Sequence, residues 1–76
     1  MIRVVATTVG ERIRELREER LLTQEELASK ARLNPNSIVR IETGSVTRPR
    51  FSSIRKIAAA LEVDPRELIQ GGSKGA

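Results

Sequence analysis

The stretch TQEELASKARLNPNSIVRIETG, residues 23–44, decides the fold of this 76-residue chain. It predicts two short helices joined by a tight turn. The first helix begins at Thr23, which opens a T-x-x-E capping box. The second begins at Asn34, a good N-cap residue, with Pro35 at the first helical position. Gly44 is a typical stop for the second helix.

The apolar residues of this stretch fall at spacings that suit two crossed helices sharing one core. They are Leu27, Ala31, Leu33, Ile38 and Ile41. At about 100° per residue, the direction opposite Ile38 and Ile41 lies closest to Asn36, Arg40 and Thr43. Val39 falls at the edge of that direction. The second helix is therefore expected to present a mainly polar face to the outside.

Three further helices are predicted around this pair. Residues 8–20 begin with a second capping box, from Thr8 to Glu11, and continue with an apolar stripe. Residues 51–61 form another amphipathic helix, and a fifth starts at Asp64. The inward side chains are expected to be Val9, Ile13 and Leu16, then Phe51, Ile54, Ile57, Ala58 and Leu61, and finally Leu68 and Ile69.

The chain divides into three parts. Residues 1–7 are apolar and β-branched without a helical period, which leaves two options, a disordered arm or a strand that pairs with another copy. Residues 8–70 form the helical domain. Residues 71–76, GGSKGA, are expected to be a flexible tail.

The composition excludes several classes of function. The chain has no Cys and no His, so neither a disulfide nor a Cys/His metal site is possible, and no cofactor is predicted. The carboxylates are spread along helix faces rather than gathered, so we expect no enzyme. No apolar run approaches the ~20 residues of a membrane span, and the N-terminus lacks a signal-peptide core. A cytoplasmic protein is expected.

The net charge of +4 is unevenly distributed. Residues 1–22 carry five basic and four acidic groups, and residues 23–43 carry three of each. Residues 44–61 carry Arg48, Arg50, Arg55 and Lys56 and no acid. A local basic cluster suggests an anionic partner, although a solvated surface is the alternative.

Residues 9–69 resemble the helix-turn-helix domains of phage repressors and Cro proteins, also called the XRE type. The resemblance is carried by IRELR (13–17), LTQEELA (22–28), SIVRIETG (37–44), Arg48-Pro49, and Ile57-Ala58 with Leu61. It implies an all-α, compact five-helix fold of the lambda-repressor type. It also implies a transcriptional regulator, most often a repressor, that binds double-stranded DNA through the helix at residues 34–43.

The resemblance also assigns roles to individual residues. Side chains expected to face the bases are Asn36, Ser37, Arg40, Pro35 and Val39. Asn and Arg can bind adenine and guanine bidentately, and Val39 suits a thymine methyl group. Side chains expected to contact phosphates are Thr23, Gln24, Thr43, Thr47, Arg48 and Arg50. Arg17 and Glu42 are expected to form a structural ion pair. Ordinary solvated surface is the alternative for the polar positions.

Two residues depart from the family pattern. Arg32 and Glu62 stand where glycine is common after a helix. If their backbones are left-handed, each costs about 1–2 kcal/mol.

The family usually binds as a homodimer to a palindromic operator. The expected dimer surface here is the fifth helix and its approaches, with residues 1–7 as an additional candidate. The alternative function is an antitoxin or adaptor that holds a protein partner, such as a toxin or the transcription machinery, with DNA binding secondary.

Overall fold

The computed structural model describes residues 8–69, which form five helices and no strand. The all-α prediction is therefore confirmed, whereas the predicted arm (1–7) and tail (71–76) lie outside the described residues. No helix in the described part is long and apolar enough to cross a membrane. The helices are α1 Val9–Glu19, α2 Gln24–Ala31, α3 Pro35–Thr43, α4 Phe51–Leu61 and α5 Pro65–Ile69.

Polar side chains fix the helix starts where the sequence predicts them. Thr8 Oγ1 accepts a 3.0 Å hydrogen bond from the backbone N–H three residues later. Both halves of the Thr23 capping box are present: Glu26 N donates to Thr23 Oγ1 at 3.0 Å, and Thr23 N donates to Glu26 Oε1 at 2.8 Å. Asn34 Oδ1 accepts from Asn36 N at 2.8 Å. These bonds satisfy amide groups that a helix N-terminus otherwise leaves unpaired.

Four left-handed residues turn the chain at helix ends. Gly44 follows α3 with φ 91°, as predicted. Arg32 (φ 59°) and Glu62 (φ 61°) end α2 and α4, so the strain considered for these two positions is present. Leu21 is also left-handed (φ 56°), although no feature of the sequence predicts this conformation. A non-glycine residue in this conformation costs roughly 1–2 kcal/mol.

All five helices contribute to one apolar core. α2 packs against both α3 and α4, and α1 packs against α3. α5 is fixed by the fully buried Leu68 and by an ion pair of 3.5 Å between Arg12 Nη2 and Glu67 Oε1. The core residues are Ile13, Leu16, Leu27, Ala28, Ala31, Ile38, Ile41, Ile54, Ile57, Ala58, Leu61 and Leu68.

α1 and α3 meet backbone to backbone at Gly10. A Cβ atom on this buried glycine would collide with the carbonyl oxygen of Ile41 and lie 3.1 Å from the Cα atom of Glu42. No side chain separates the two helices at this point. Gly10 therefore helps to set how closely α3 approaches the rest of the domain.

The prediction that Phe51 and Ile69 lie in the core is wrong. Phe51 is 71% exposed and Ile69 is 48% exposed. Phe51 is the first residue of α4 and lies about 70° from the centre of its buried stripe, at 100° per residue. Ile69 ends a five-residue helix whose inward position is taken by Leu68, about 100° away. Periodicity overestimates burial at helix ends, where no neighbouring element covers the side chain.

Candidate nucleic-acid interface

The outer face of α3 is polar and open to solvent. Ile38 and Ile41 are buried in the core, which turns the opposite side of the helix outward. Asn36, Arg40 and Thr43 are exposed on that side. The remaining residues expected to face bases lie beside them: Pro35 is exposed, Ser37 is half-buried and Val39 is 37% exposed.

A groove joins α3 to the loop before α4. It has a volume of about 370 Å³ and includes Ser37 and Arg40 on one wall and Arg48 and Arg50 on the other. Its remaining lining residues are Ile41, Val46, Pro49 and Ser53. The structure thus brings two of the residues expected to face bases together with two of those expected to contact phosphates.

Arg17, Gln24 and Glu42 form a network between α1, α2 and α3. Arg17 Nε and Nη2 donate to the two carboxylate oxygens of Glu42 at 2.7 and 3.0 Å. Gln24 Nε2 donates to Glu42 Oε1 at 3.0 Å, and Arg17 Nη1 donates to the carbonyl of Leu22 at 2.7 Å. The Glu42 side chain is only 3% exposed and that of Arg17 is 11% exposed. The network fixes the rotation of α3 relative to the two helices that precede it.

The pKa of Arg17 is raised above its ordinary value. The main cause is the hydrogen bond to Glu42, which outweighs the opposing effect of burial. Arg17 therefore keeps its charge throughout the physiological pH range.

The residues expected to contact phosphates fall into separate places. Gln24 and Thr43 border one hollow of about 280 Å³, next to the Arg17–Glu42 pair, and the exposed Thr23 precedes Gln24 in the chain. Thr47 is also exposed, but it lines a different hollow of about 270 Å³ that includes Ile69. Thr47 thus lines a different hollow from Arg48 and Arg50, although it directly precedes Arg48 in the chain.

The described cations separate into two groups. Those of α1, of its C-cap and of α5 have a carboxylate oxygen within 4.0 Å, namely Arg12, Arg14, Arg17, Arg20 and Arg66. The others in residues 8–69 have none: Lys30, Arg32, Arg40, Arg48, Arg50, Arg55 and Lys56. The lack of acidic residues in positions 44–61 predicts part of this asymmetry. Among the described residues, the cations without such a partner therefore lie between residues 30 and 56, from the end of α2 to α4.

Comparison with known proteins gives consistent matches. The helix-turn-helix family model HTH_3 matches residues 13–68. The HTH-type transcriptional repressor RghR of Bacillus subtilis is 43% identical over 54 residues, which cover 71% of this chain and 40% of RghR. This chain spans 40–43% of the length of the curated relatives it matches.

Solved structures agree with this fold. The restriction-modification controller protein C.AhdI from Aeromonas hydrophila is 38% identical, with a TM-score of 0.76 over 80% of this chain and 91% of that protein. The Bacillus subtilis regulator SinR, solved in complex with DNA, is 31% identical, with a TM-score of 0.78 over 80% of this chain and 97% of that chain.

Proposed function

Because the chain belongs to the helix-turn-helix (HTH_3) family, we propose that it binds double-stranded DNA sequence-specifically and represses transcription. The observation that carries this proposal is the polar outer face of α3, which shares a groove with Arg48 and Arg50. The similarity to RghR, a transcriptional repressor, and to SinR, solved with DNA, supports it. We place this activity in the cytoplasm, with no metal, cofactor or catalytic step.

Base reading is assigned to α3 in the major groove. Asn36 and Arg40 are the principal readers, because an amide can bind adenine and a guanidinium can bind guanine through two hydrogen bonds, each worth about 1–3 kcal/mol of discrimination. Ser37 contributes a hydroxyl donor or acceptor beside them. Pro35 and Val39 contribute apolar contact with thymine methyl groups or the sugar edge.

Phosphate binding is assigned to residues on both sides of α3. Thr23 and Gln24 lie at the N-terminus of α2, where the helix dipole and the amide groups that the capping box does not use favour an anion. The Gln24 side chain is held by Glu42, which orients it before DNA arrives. Thr43, which borders the same hollow as Gln24, contacts the backbone on this side too. On the other side, Thr47, Arg48 and Arg50 contact the backbone. These contacts set the register of α3 in the groove without reading sequence.

We further propose that the protein acts as a homodimer on a palindromic operator. Two copies related by a two-fold axis place their α3 helices about 34 Å apart, one turn of DNA. Each copy then reads one half-site, and the sequence of the operator mirrors the symmetry of the protein.

A binding titration of two arginine variants tests these roles. Arg40→Ala should lose about 1–3 kcal/mol on the preferred operator and much less on unrelated DNA, because it removes a base contact. Arg50→Ala should weaken binding to every sequence. It should also make the negative slope of log K against log salt shallower by about 0.9, because it removes a phosphate contact.

Selection of bound sequences from a random DNA pool supplies the operator for this titration. Lys30→Ala, which removes an exposed charge with no assigned role from the last turn of α2, is the matched control and should leave both properties unchanged. Small and equal effects of Arg40→Ala and Arg50→Ala would contradict the assigned roles, and failure of the native protein to prefer any sequence would contradict the proposed function.

A further inference from the structure

Arg14 borders the same hollow as two residues assigned above to phosphate binding. The hollow, of about 280 Å³, is lined by Gln24 of α2, by Thr43 of α3 and by Arg14 of α1. Thr43 is exposed on the outer face of α3, as Arg40 is. A backbone phosphate that Gln24 and Thr43 contact therefore lies close to Arg14 as well.

The two arginines of this hollow have different surroundings. Arg17 is largely buried, at 11% exposure of its side chain, and binds both carboxylate oxygens of Glu42. The side chain of Arg14 is 63% exposed, and its Nε donates to Glu18 Oε2 at 3.1 Å. A guanidinium has several N–H donors, and this bond uses only one of them. Arg14 is therefore the cation of the hollow that can bind an external anion.

The pair of Arg14 and Glu18 is easily exchanged. The two residues are four apart on α1 and both are more than half exposed, and such pairs contribute little because water and salt screen them. Glu18 Oε2 also lies 4.0 Å from Arg17 Nη2, so Glu18 keeps a positive neighbour when Arg14 turns away. An arginine that binds a DNA phosphate additionally releases counterions. Replacement of the carboxylate by a phosphate is therefore favourable.

We propose that Arg14 binds a phosphate of the DNA backbone at this hollow, beside Gln24 and Thr43, and that Glu18 competes with this phosphate for Arg14. The inference rests on the proposed function and adds a residue of α1 to the DNA-binding surface. It also gives Glu18 a role, because a carboxylate that occupies Arg14 in the free protein lowers the affinity for every DNA sequence.

The salt dependence of DNA binding by Arg14→Gln tests the phosphate contact. The variant should bind operator and unrelated DNA more weakly by the same factor, and its negative slope of log K against log salt should be shallower by about 0.9. Arg14→Lys keeps the charge and should retain the native slope. Lys30→Gln is the control, since it removes an exposed charge from α2 that has no assigned contact.

Titration of Glu18→Gln tests the competition. Glu19→Gln is its matched control, because it removes the same charge from the next exposed position of α1. Glu18→Gln should bind DNA at least about twofold more tightly than Glu19→Gln, which is the strength of an exposed pair of this spacing. In the Arg14→Gln background, the difference between the two glutamate variants should disappear.

Thermal unfolding of each variant checks that the domain is intact. A native salt slope for Arg14→Gln overturns the phosphate contact, and a difference between the glutamate variants that persists without Arg14 overturns the competition. Either result leaves the proposed function standing if the native chain still prefers its operator. Absence of salt-dependent DNA binding by the native chain would instead contradict the proposed function, and this inference with it.

Discussion

Leu21, Arg32 and Glu62 have positive φ angles although none is glycine. The positions of Arg32 and Glu62 were predictable, because the chain resembles a family that often has glycine there. Leu21 was not, since leucine gives no local signal for a left-handed backbone. Its conformation follows from the turn itself, in which Leu21 N and Leu22 N donate to carbonyls in the last turn of α1 at 3.0 and 3.1 Å.

Leu21→Gly should stabilise the domain. Leu21 is 88% exposed, so little packing is lost, and relief of the left-handed strain should raise the free energy of unfolding by about 1 kcal/mol. Chemical denaturation measures the change. The control is Ser29→Gly, in the interior of α2, which should lower stability by roughly 0.5–1 kcal/mol. Equal destabilisation by the two variants would show that Leu21 makes a contact worth more than its strain.

The contributions of Arg17 and Glu42 to the free energy of unfolding should depend strongly on each other. Glu42→Leu leaves the guanidinium of Arg17 largely buried without its partner, which typically costs about 3–5 kcal/mol. The double variant Arg17→Met/Glu42→Leu removes both charges and should be more stable than either single variant. A double-mutant cycle from denaturation curves measures the coupling. Additive effects of the two substitutions would contradict a coupled pair.

At the scale of helices, the starts were predictable and the exposure of the ends was not. Thr23 and Asn34 carry their capping signal locally, within two or three residues. The burial of Phe51 and Ile69 depends on what covers a helix end, which is a property of the whole packing. The contact between Gly10 and Ile41 was missed for the same reason, because nothing in α1 alone identifies its partner.

Arg50 begins α4 without a side-chain cap. It occupies the N-cap position, and its side chain makes no capping hydrogen bond. Arg50→Ser should therefore raise the free energy of unfolding by about 1 kcal/mol, because a serine hydroxyl can accept from the first turn. The same change should make the negative slope of log K against log salt for DNA binding shallower by about 0.9.

Thermal unfolding and DNA titration of this one variant test both effects. Arg48→Ser is the matched control, since it removes a neighbouring charge without adding a cap. A stabilised Arg50→Ser protein with the native salt dependence would contradict phosphate binding by Arg50, and a protein of unchanged stability would contradict the expected gain from a cap.

At the scale of the molecule, charge and polarity are arranged by region. The cations of α1 and α5 are matched by nearby acids, whereas those around α3 and the loop before α4 are not. The charge count along the chain predicted that the cations of the loop before α4 have no acidic neighbours in sequence. It could not predict which arginines find partners in space, such as Arg12 with Glu67. It also could not show that Thr47 lines a different hollow from Arg48 and Arg50.

If the protein binds as a dimer, it should bind tightly only to operators with one spacing between the two half-sites. Inserting five base pairs between the half-sites rotates one relative to the other by about half a turn of DNA. Binding should then fall to the level of a single half-site, which we expect to be at least about tenfold weaker. Gel-shift titrations against the native spacing measure this. Unchanged affinity after the insertion would indicate two independent monomers.

The two faces of α3 have a further consequence for evolution and engineering. Ile38, Ile41 and Glu42 attach the helix to the domain, and they are distinct from the exposed residues Asn36 and Arg40. Exposed residues can be exchanged at little cost in stability, usually within about 0.5 kcal/mol. A lineage, or a designer, can therefore change which operator is bound while the same scaffold is inherited unaltered.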